Sequence, residues 1–358
     1  MTILHLIRSF GEKRVGGAEI NIHNLVNLIT KSSNEKNIII SKNGTWNYSS
    51  KKNSFIKDTN KNYNLILEVI KNIWHKEISN IHVHSNGYYI FLGYFIALLI
   101  KCKLIIKITR IGKGSLINRN REKFIDIKLF IKRTLFQYIC KSNFVYIQIL
   151  SNSCFDIVSD FSDNIIVFPN LIKRGDFDPH LKIKNTFLIS SRLIKRKNID
   201  LTLNKLINLK LENIHIYILG DGPELKRLKS KYKKNKSITS FLGHLEHKDV
   251  YDFYAKAEYF INLSDSEGMS NSLIEAMSYG CKCIVTNILE NVYTAESYSI
   301  YYEKGTDFNS KITESIKLDP KEISRYANSR FSVGSFDSNN LRELYRIDNS
   351  NFSCWKWK

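Results

Sequence analysis

Several features that would class this chain quickly are missing. Its six cysteines, spread without regular spacing over 358 residues, make no disulfide framework, so a reducing cytoplasm is the expected setting. No cysteine or histidine pairs stand at zinc spacing, and no carboxylate cluster of the Asp-x-Asp sort is placed to hold a metal. The opening run from Met1 to Arg8 lacks a basic leader and a small-residue cleavage site. It predicts a buried first strand. The most apolar stretch, Tyr88 to Ile100, is closed by Lys101 and Lys103 well short of the ~20 residues that cross a bilayer. It predicts a core helix, and any membrane contact is expected to be peripheral. Acidic residues are also scarce, 34 against 54 Lys and Arg, a formal net charge of +20. A surface that basic repels itself and suits anionic partners: nucleic acid, acidic lipid or phosphorylated substrates.

What is present points to two domains. The chain is too long for one compact core, and 43% hydrophobic residues exclude wholesale disorder. Strands are predicted at Ile3–Ile7, Asn37–Ser41, Ile81–His84, Leu104–Thr109, Phe144–Ile149 and Ile165–Phe168. Helices are predicted at Ala18–Thr30, Tyr63–Trp74, Tyr88–Lys101, Glu122–Cys140 and Asn152–Ser159. Unbroken apolar strands alternating with helices imply a parallel sheet covered on both faces. The rhythm stops at Pro169-Asn170, and the polar stretch from Lys173 to Asn185 reads as a linker. It then restarts, with strands at Phe187–Ser190, Ile214–Leu219, Ile238–Leu242, Tyr259–Leu263, Cys281–Thr286 and Ser299–Tyr302. Residues 1–170 hold 24 Lys and Arg against 11 Asp and Glu. Their densest part, from Lys101 through Arg110 and Arg121 to Arg133, is either a solvated face or a patch for anionic lipid or a phosphorylated acceptor.

Three segments carry chemistry. Gly16-Gly17-Ala18-Glu19 follows the first strand and opens a helix, where free N–H groups attract phosphate; it lacks the full dinucleotide spacing, and a plain turn explains it equally well. Ser191 to Asn198 clusters Arg192, Lys195, Arg196 and Lys197 at the carboxyl end of a strand, where open α/β sheets bind ligands. The third is Ser264 to Met277: a strand enters a polar turn with Gly268, and a helix starts near Ser270 or Asn271, both good N-caps. Glu267 then hangs over the strand end and Glu275 lies within the helix. Two carboxylates beside a helix N-terminus suit sugar and ribose hydroxyls and a diphosphate. His82 and His84 fit either ordinary strand-end histidines or, through His84-Ser85-Asn86-Gly87, a loop reaching a ligand. Cys281 and Cys283 alternate along a buried strand and read as packing. The tail from Cys354 to Lys358 fits a membrane interface or a frayed terminus.

The spacing of Glu267 and Glu275 resembles the E-x7-E pattern of retaining glycosyltransferases of the GT-B type, and the surrounding Ser266-Glu267-Gly268 to Met277 text resembles glycosyltransferase family 4. Gly16-Gly17, Arg192 with Lys197, Leu219 to Pro223 and Gly243 stand where that family has similar residues. The resemblance implies an α/β fold of two Rossmann-like, doubly wound domains facing a central cleft. These are residues 1–170 on the acceptor side, with a crossing helix from about 336–358, and residues 185–330 binding the nucleotide-sugar. It implies that Arg192 and Lys197 neutralise the donor diphosphate and Glu275 holds the ribose hydroxyls. Glu267 contacts the donor sugar, the backbone of Gly268, Met269, Ser270 and Asn271 binds sugar and phosphate, and the Gly16-Gly17 loop closes over the diphosphate. Arg110 stands where many relatives carry a histidine near the reacting sugar, so it or His84 is expected there.

The expected function is that of a retaining glycosyltransferase moving a sugar, UDP-linked by expectation, without metal or other cofactor. The expected acceptor is a glycan or a polyprenyl-diphosphate-linked unit of a capsule, O-antigen or similar surface polysaccharide. The expected place is the cytoplasm, at the inner face of the membrane, with the basic N-terminal domain on anionic lipid. Two alternatives stand beside it. A basic nucleic-acid-binding protein would show basic residues interleaved with aromatics or a known module, and none is visible, so no nucleic acid is expected. A catalytically silent nucleotide-sugar-binding relative is opposed by intact Glu267, Glu275, Arg192 and Lys197.

Overall fold

The structure, a computed structural model, describes residues 2–9, 17–32, 35–43, 54–58, 78–85, 87–109, 115–117 and 127–345. The chain divides into two compact units, Met1–Leu171 with Phe336–Lys358, and Ile172–Ser335.

The first unit is a seven-stranded parallel sheet in the order β3-β2-β1-β4-β5-β6-β7. Its strands are β1 (Thr2–Ser9), β2 (Lys36–Asn43), β3 (Ser54–Asp58), β4 (Ile78–Val83), β5 (Lys103–Lys107), β6 (Val145–Ile149) and β7 (Ile165–Val167). Among the described residues, helices α1 (Gly17–Ser32), α2 (Tyr88–Ile100), α3 (Ile127–Cys140) and α4 (Phe155–Ser159) connect them. Leu4, Leu6, Ile81, Val83, Leu104, Ile106 and Ile147 are fully buried, as strands covered on both faces require. The edge strand β3 was not expected: its Ser-Phe-Ile-Lys-Asp has only two apolar residues, too few to signal a strand. The helix expected at Tyr63–Trp74 lies outside the described residues, as do Gly16, Arg110 and the tail from Cys354. α2 also departs from expectation. Tyr89, Ile90, Leu92, Ile96 and Ala97 pack inward, whereas Phe95, Leu98 and Leu99 are exposed, so it is a surface helix that is apolar on both sides rather than a core helix.

A polar seam crosses the middle of this sheet. One His5 nitrogen meets Asn37 Oδ1 at 3.1 Å and the other meets His84 Nε2 at 3.0 Å. His82 bridges Gln148 Oε1 at 2.8 Å and the Tyr345 hydroxyl at 2.9 Å. Tyr345 ends α12 (Ser338–Tyr345), so this bond ties the returning C-terminal helix to the centre of the first unit. All three imidazoles are buried. Burial holds them neutral: it pushes His5 down to about 4 and His82 and His84 well below the usual histidine value, and Lys107 is pushed down to about 7.

The second unit repeats the plan with six parallel strands in the order β10-β9-β8-β11-β12-β13. These are β8 (Ile183–Ser190), β9 (His215–Leu219), β10 (Thr239–Gly243), β11 (Ala257–Asn262), β12 (Lys282–Thr286) and β13 (Ser299–Tyr302). The helices are α5 (Ile199–Ile207), α6 (Leu225–Lys231), α7 (His247–Lys256), α8 (Asn271–Ser278), α9 (Leu289–Ala295), α10 (Phe308–Ser315) and α11 (Pro320–Phe331). The stretch read as a linker, Lys173 to Asn185, is part of this unit. Asn328 of α11 accepts from the Gly175 N–H and donates to its carbonyl, both at 3.0 Å, and β8 begins already at Ile183. Polar composition signalled a loop but not its anchoring by one distant asparagine.

Neutral buried histidines set a pH dependence. A histidine whose folded pKa is depressed is protonated preferentially in the unfolded state, so stability falls as pH drops below 6.5. For His5 alone the loss at pH 5 is about 2 kcal/mol. Hydrogen exchange corrected for intrinsic rates is expected to show β1 and β4 losing protection between pH 7 and pH 5. Unchanged protection would contradict the neutral seam.

Candidate functional site

The order of the second sheet places its topological switch between β8 and β11, and at such a point loops diverge from the carboxyl ends of neighbouring strands and leave a crevice. The two segments singled out in the sequence are the loops that leave β8 and β11. They meet although 70 residues separate Lys197 from Glu267: the Lys197 ammonium forms an ion pair with Glu267 Oε1.

Each partner is held from behind. After β8, Lys195–Lys197 forms one 3-10 turn that ends at Asn198, whose left-handed φ of 51° lets α5 start in a new direction. The Asn198 side chain donates to the Leu263 carbonyl at 2.9 Å, and the Arg196 guanidinium donates to the Ser266 carbonyl at 2.8 Å. The Asp265 N–H returns a bond to the Arg196 carbonyl at 2.9 Å. The two loops are therefore stitched together by backbone groups before the charges meet. Below them, Asn262, the last residue of β11, donates to Glu267 Oε1 at 3.2 Å and to the Ser270 hydroxyl at 3.3 Å, and the Ser264 hydroxyl donates to Asn262 Oδ1. Ser270 caps α8, its oxygen accepting from the Leu273 N–H at 3.4 Å.

The two glutamates have opposite electrostatics. Both are buried, which alone raises a carboxyl pKa. For Glu267 the Lys197 charge and hydrogen bonds outweigh that penalty, and its pKa lies below the ordinary value. The Glu275 carboxylate accepts from the Tyr254 hydroxyl at 3.2 Å, and burial pushes it up to about 7. Tyr254 and Tyr251 both stack on Tyr279, so Glu275 sits in an aromatic setting.

A third loop supports the first from the other side. The Leu193 N–H donates to the Asp221 carbonyl at 2.9 Å, and the Glu224 N–H to the Leu193 carbonyl at 3.1 Å. This close approach requires the glycines of Leu219-Gly220-Asp221-Gly222-Pro223. A Cβ on Gly222 would lie 2.3 Å from the Leu193 carbonyl oxygen, and one on Gly220, whose φ is +123°, would lie 1.9 Å from the Ser191 oxygen. Arg192, between those two residues, is exposed at the loop tip.

Of the expected site residues, the structure brings Lys197 and Glu267 into contact; Arg192 lies on the loop after β8, Gly268 and Met269 on the loop after β11, and Ser270, Asn271 and Glu275 at the start of or within α8. Gly17 opens α1 in the first unit. His84, the residue just after β4, is buried and meets His5. Asn262 and Tyr254 were missed, and Arg196 and Asn198, which the sequence places in the cationic segment, act by donating to the Ser266 and Leu263 carbonyls. Asn262 alone gave a signal, a polar residue ending an apolar strand. Among the described residues, the one grouping of side chains close enough to share a metal ion is His5, His82 and His84; His5 and His82 meet Asn37, Gln148 and Tyr345, whereas His84 Nε2 meets His5 and its buried Nδ1 has no hydrogen-bond partner. Cys281 and Cys283 are buried, and their thiols donate to backbone carbonyls.

Glu275 should cost stability where its unfolded counterpart is ionised. Its folded pKa is raised, so stability is lost as pH rises from 4.5 to 7. Glu275→Gln, which keeps the bond to Tyr254, is expected to raise unfolding stability by about 1–3 kcal/mol at pH 7.5 and by little at pH 4.5. Denaturant titration at the two pH values checks this, and an equal gain at both would exclude a buried protonated carboxyl. Gly222→Ala is expected to displace the 191–198 loop and destabilise by roughly 1–3 kcal/mol, measured in the same way.

Residues 176–328 match the family model of glycosyl transferases group 1. Over 134 residues the chain is 31% identical to one component of the human phosphatidylinositol N-acetylglucosaminyltransferase, a match covering 35% of this chain and 27% of that protein. Over 122 residues it is 31% identical to the GtfA component of the UDP-N-acetylglucosamine–peptide N-acetylglucosaminyltransferase of Limosilactobacillus reuteri subsp. suis, covering 32% and 24%. The chain therefore spans about a quarter of the length of these curated relatives. Among solved structures, Anabaena HepE in complex with UDP and glucose superposes with a TM-score of 0.73 at 13% identity, covering 97% of this chain and all of the other. Pneumococcal GtfA in complex with UDP and GlcNAc gives 0.70 at 11% identity, covering 97% and 98%. The fold is thus that of two Rossmann-like α/β units of the GT-B class, and the segment bearing Lys197, Glu267 and Glu275 lies within the residues that match the model of glycosyl transferases group 1.

Proposed function

We propose that this protein is a retaining glycosyltransferase of family 4 that takes a UDP-sugar as donor. Its acceptor is a lipid-linked or growing surface polysaccharide, reached at the cytoplasmic face of a membrane. The observation that carries the reading is the Lys197–Glu267 ion pair, held at the switch point by two loops stitched together through their backbones, within the segment that matches group 1. The relatives add chemical direction: solved structures of similar fold hold UDP with glucose or GlcNAc, and another is WaaG, involved in lipopolysaccharide biosynthesis.

The residues divide the work. Breaking the sugar–phosphate bond leaves an oxocarbenium-like sugar and a departing diphosphate whose charge grows as the bond lengthens. Exposed Arg192 and partly buried Lys197, on the same loop after β8, supply positive charge there, where stabilisation of developing charge is most effective. Arg192 offers a planar fork for two phosphate oxygens and Lys197 a point charge. Glu275 accepts hydrogen bonds from the ribose hydroxyls. Glu267 accepts from hydroxyls of the donor sugar, and Lys197 keeps it charged when no donor is bound. The N–H groups around Gly268 to Asn271 receive sugar and phosphate oxygens at the start of α8. Retention follows from front-face attack, in which a phosphate oxygen of the leaving group takes the acceptor's proton. No carboxylate nucleophile and no metal enters this scheme.

Donor hydrolysis across UDP-, GDP- and ADP-sugars, followed by NMR of the product anomer, tests the reading. Turnover of a UDP-sugar with retained configuration, unaffected by chelator, is expected. Arg192→Ala and Glu275→Ala should lower kcat/KM by at least about a hundredfold, the scale of losing a contact to developing charge. Arg192→Ala is exposed and should leave the melting temperature unchanged. Lys197→Ala should abolish turnover as well, while costing about 3–5 kcal/mol by stranding Glu267. Wild-type turnover in any of the three would overturn the site assignment.

A further inference from the structure

Large apolar side chains on the surface of this protein are concentrated. Phe95, Leu98 and Leu99 of α2 and Ile127, Ile131 and Tyr138 of α3 are all exposed, Leu99 at 66%, Ile127 at 75% and Tyr138 at 69%. On α3 the exposed positions recur at helical spacing along its whole length, about 21 Å at 1.5 Å per residue, while Phe136, Ile139 and Cys140 face the core. The two helices connect successive parallel strands, β4 to β5 and β5 to β6, so right-handed crossovers put them side by side on one face of the sheet. Contact across them agrees: Tyr94 of α2 stacks on Phe144 beyond the end of α3, with ring centroids 5.5 Å apart, and its hydroxyl is 3.2 Å from Ser142. Isolated exposed apolar residues need no explanation, but a contiguous face of this kind marks an interaction surface.

The charge around the face indicates what covers it. Neither 87–109 nor 127–149 contains a single Asp or Glu. Lys101, at the end of α2, and Lys132 and Lys141, on and after α3, are exposed. A second copy of this chain would set one such face against another, bringing like charges together. Apolar side chains with lysines and a tyrosine among them, and no carboxylate, match an anionic bilayer surface, in which apolar groups enter the headgroup boundary and lysines meet lipid phosphates. No described helix is long and apolar enough to cross a membrane. We propose that the outward face of α2 and α3 is a monotopic docking surface for anionic lipid bilayers. This specifies the membrane contact within the reading above but depends on neither the donor site nor its chemistry.

Flotation of the full chain with vesicles tests it. Binding is expected to vesicles of phosphatidylcholine with about 30% phosphatidylglycerol, at least about tenfold stronger than to phosphatidylcholine alone, and to weaken as salt rises. The triple substitution Leu99→Ser, Ile131→Ser, Tyr138→Ser and, separately, Lys101→Gln, Lys132→Gln, Lys141→Gln should each lower the partition coefficient by about tenfold or more. Because every altered side chain is exposed, the melting temperature and calorimetric UDP binding should stay as in the unaltered chain. Absence of vesicle binding, equal binding to neutral vesicles, or binding untouched by both triple variants would each overturn the proposal. So would a dimer in solution that the apolar substitutions abolish while vesicles are ignored, since a second copy would then be the occupant. UDP binding without vesicle binding sinks this surface alone, and vesicle binding without UDP binding sinks the donor site alone.

Discussion

The second unit is organised around one buried ion pair. Lys197 and Glu267 are both nearly out of solvent, and removing charges from water costs more than a bare pair returns unless further hydrogen bonds complete it. Here they do. Asn262 serves Glu267 from the strand below, and the loops carrying the two charges are bonded to each other through Arg196, Asn198, Asp265 and Ser266. The pair is therefore a consequence of loop geometry as much as its cause. Gly220 and Gly222 extend the constraint to a third loop, because their missing side chains make room for the carbonyls of Ser191 and Leu193.

The units use the same topology and treat buried polarity differently. The second concentrates charge at its switch point and keeps one carboxyl, Glu275, in a state poised between protonated and ionised. The first lines the middle of its sheet with neutral imidazoles and uses one of them, His82, to hold Tyr345 of the returning helix. Acidification acts in opposite directions on the two, since histidines kept neutral weaken the fold when protonated and a carboxyl kept protonated weakens it when ionised. The outward face of α2 and α3 adds a third kind of surface, apolar and cationic together, on the unit with the larger excess of positive charge.

The fold was legible because parallel strands buried on both faces write their burial into composition: Ile3–Ile7, Leu104–Ile106 and Phe187–Ile189 need no partner to be recognised. β3 was not legible, since an edge strand with two apolar residues looks like a loop. The anchoring of Gly175 was hidden because nothing near it in sequence announces Asn328. In the site, Glu267, Glu275, Arg192 and Lys197 could be named from residue type and position at strand ends. What Asn198 and Arg196 of the same segment do could not be read, because their role is to bond backbone carbonyls of a segment some 65–70 residues away.

The linear order of residues, then, determined two α/β units, the strands that form them, and which loops bear acids and cations, because hydrophobic period and charge are local properties. Tertiary structure alone decided that Lys197 faces Glu267 while Glu275 faces a tyrosine, that His84 turns toward His5, and that α2 leaves half its apolar surface uncovered. Those outcomes depend on which distant group arrives beside each side chain, and the environment so created, rather than the residue type, sets its ionisation and its exposure.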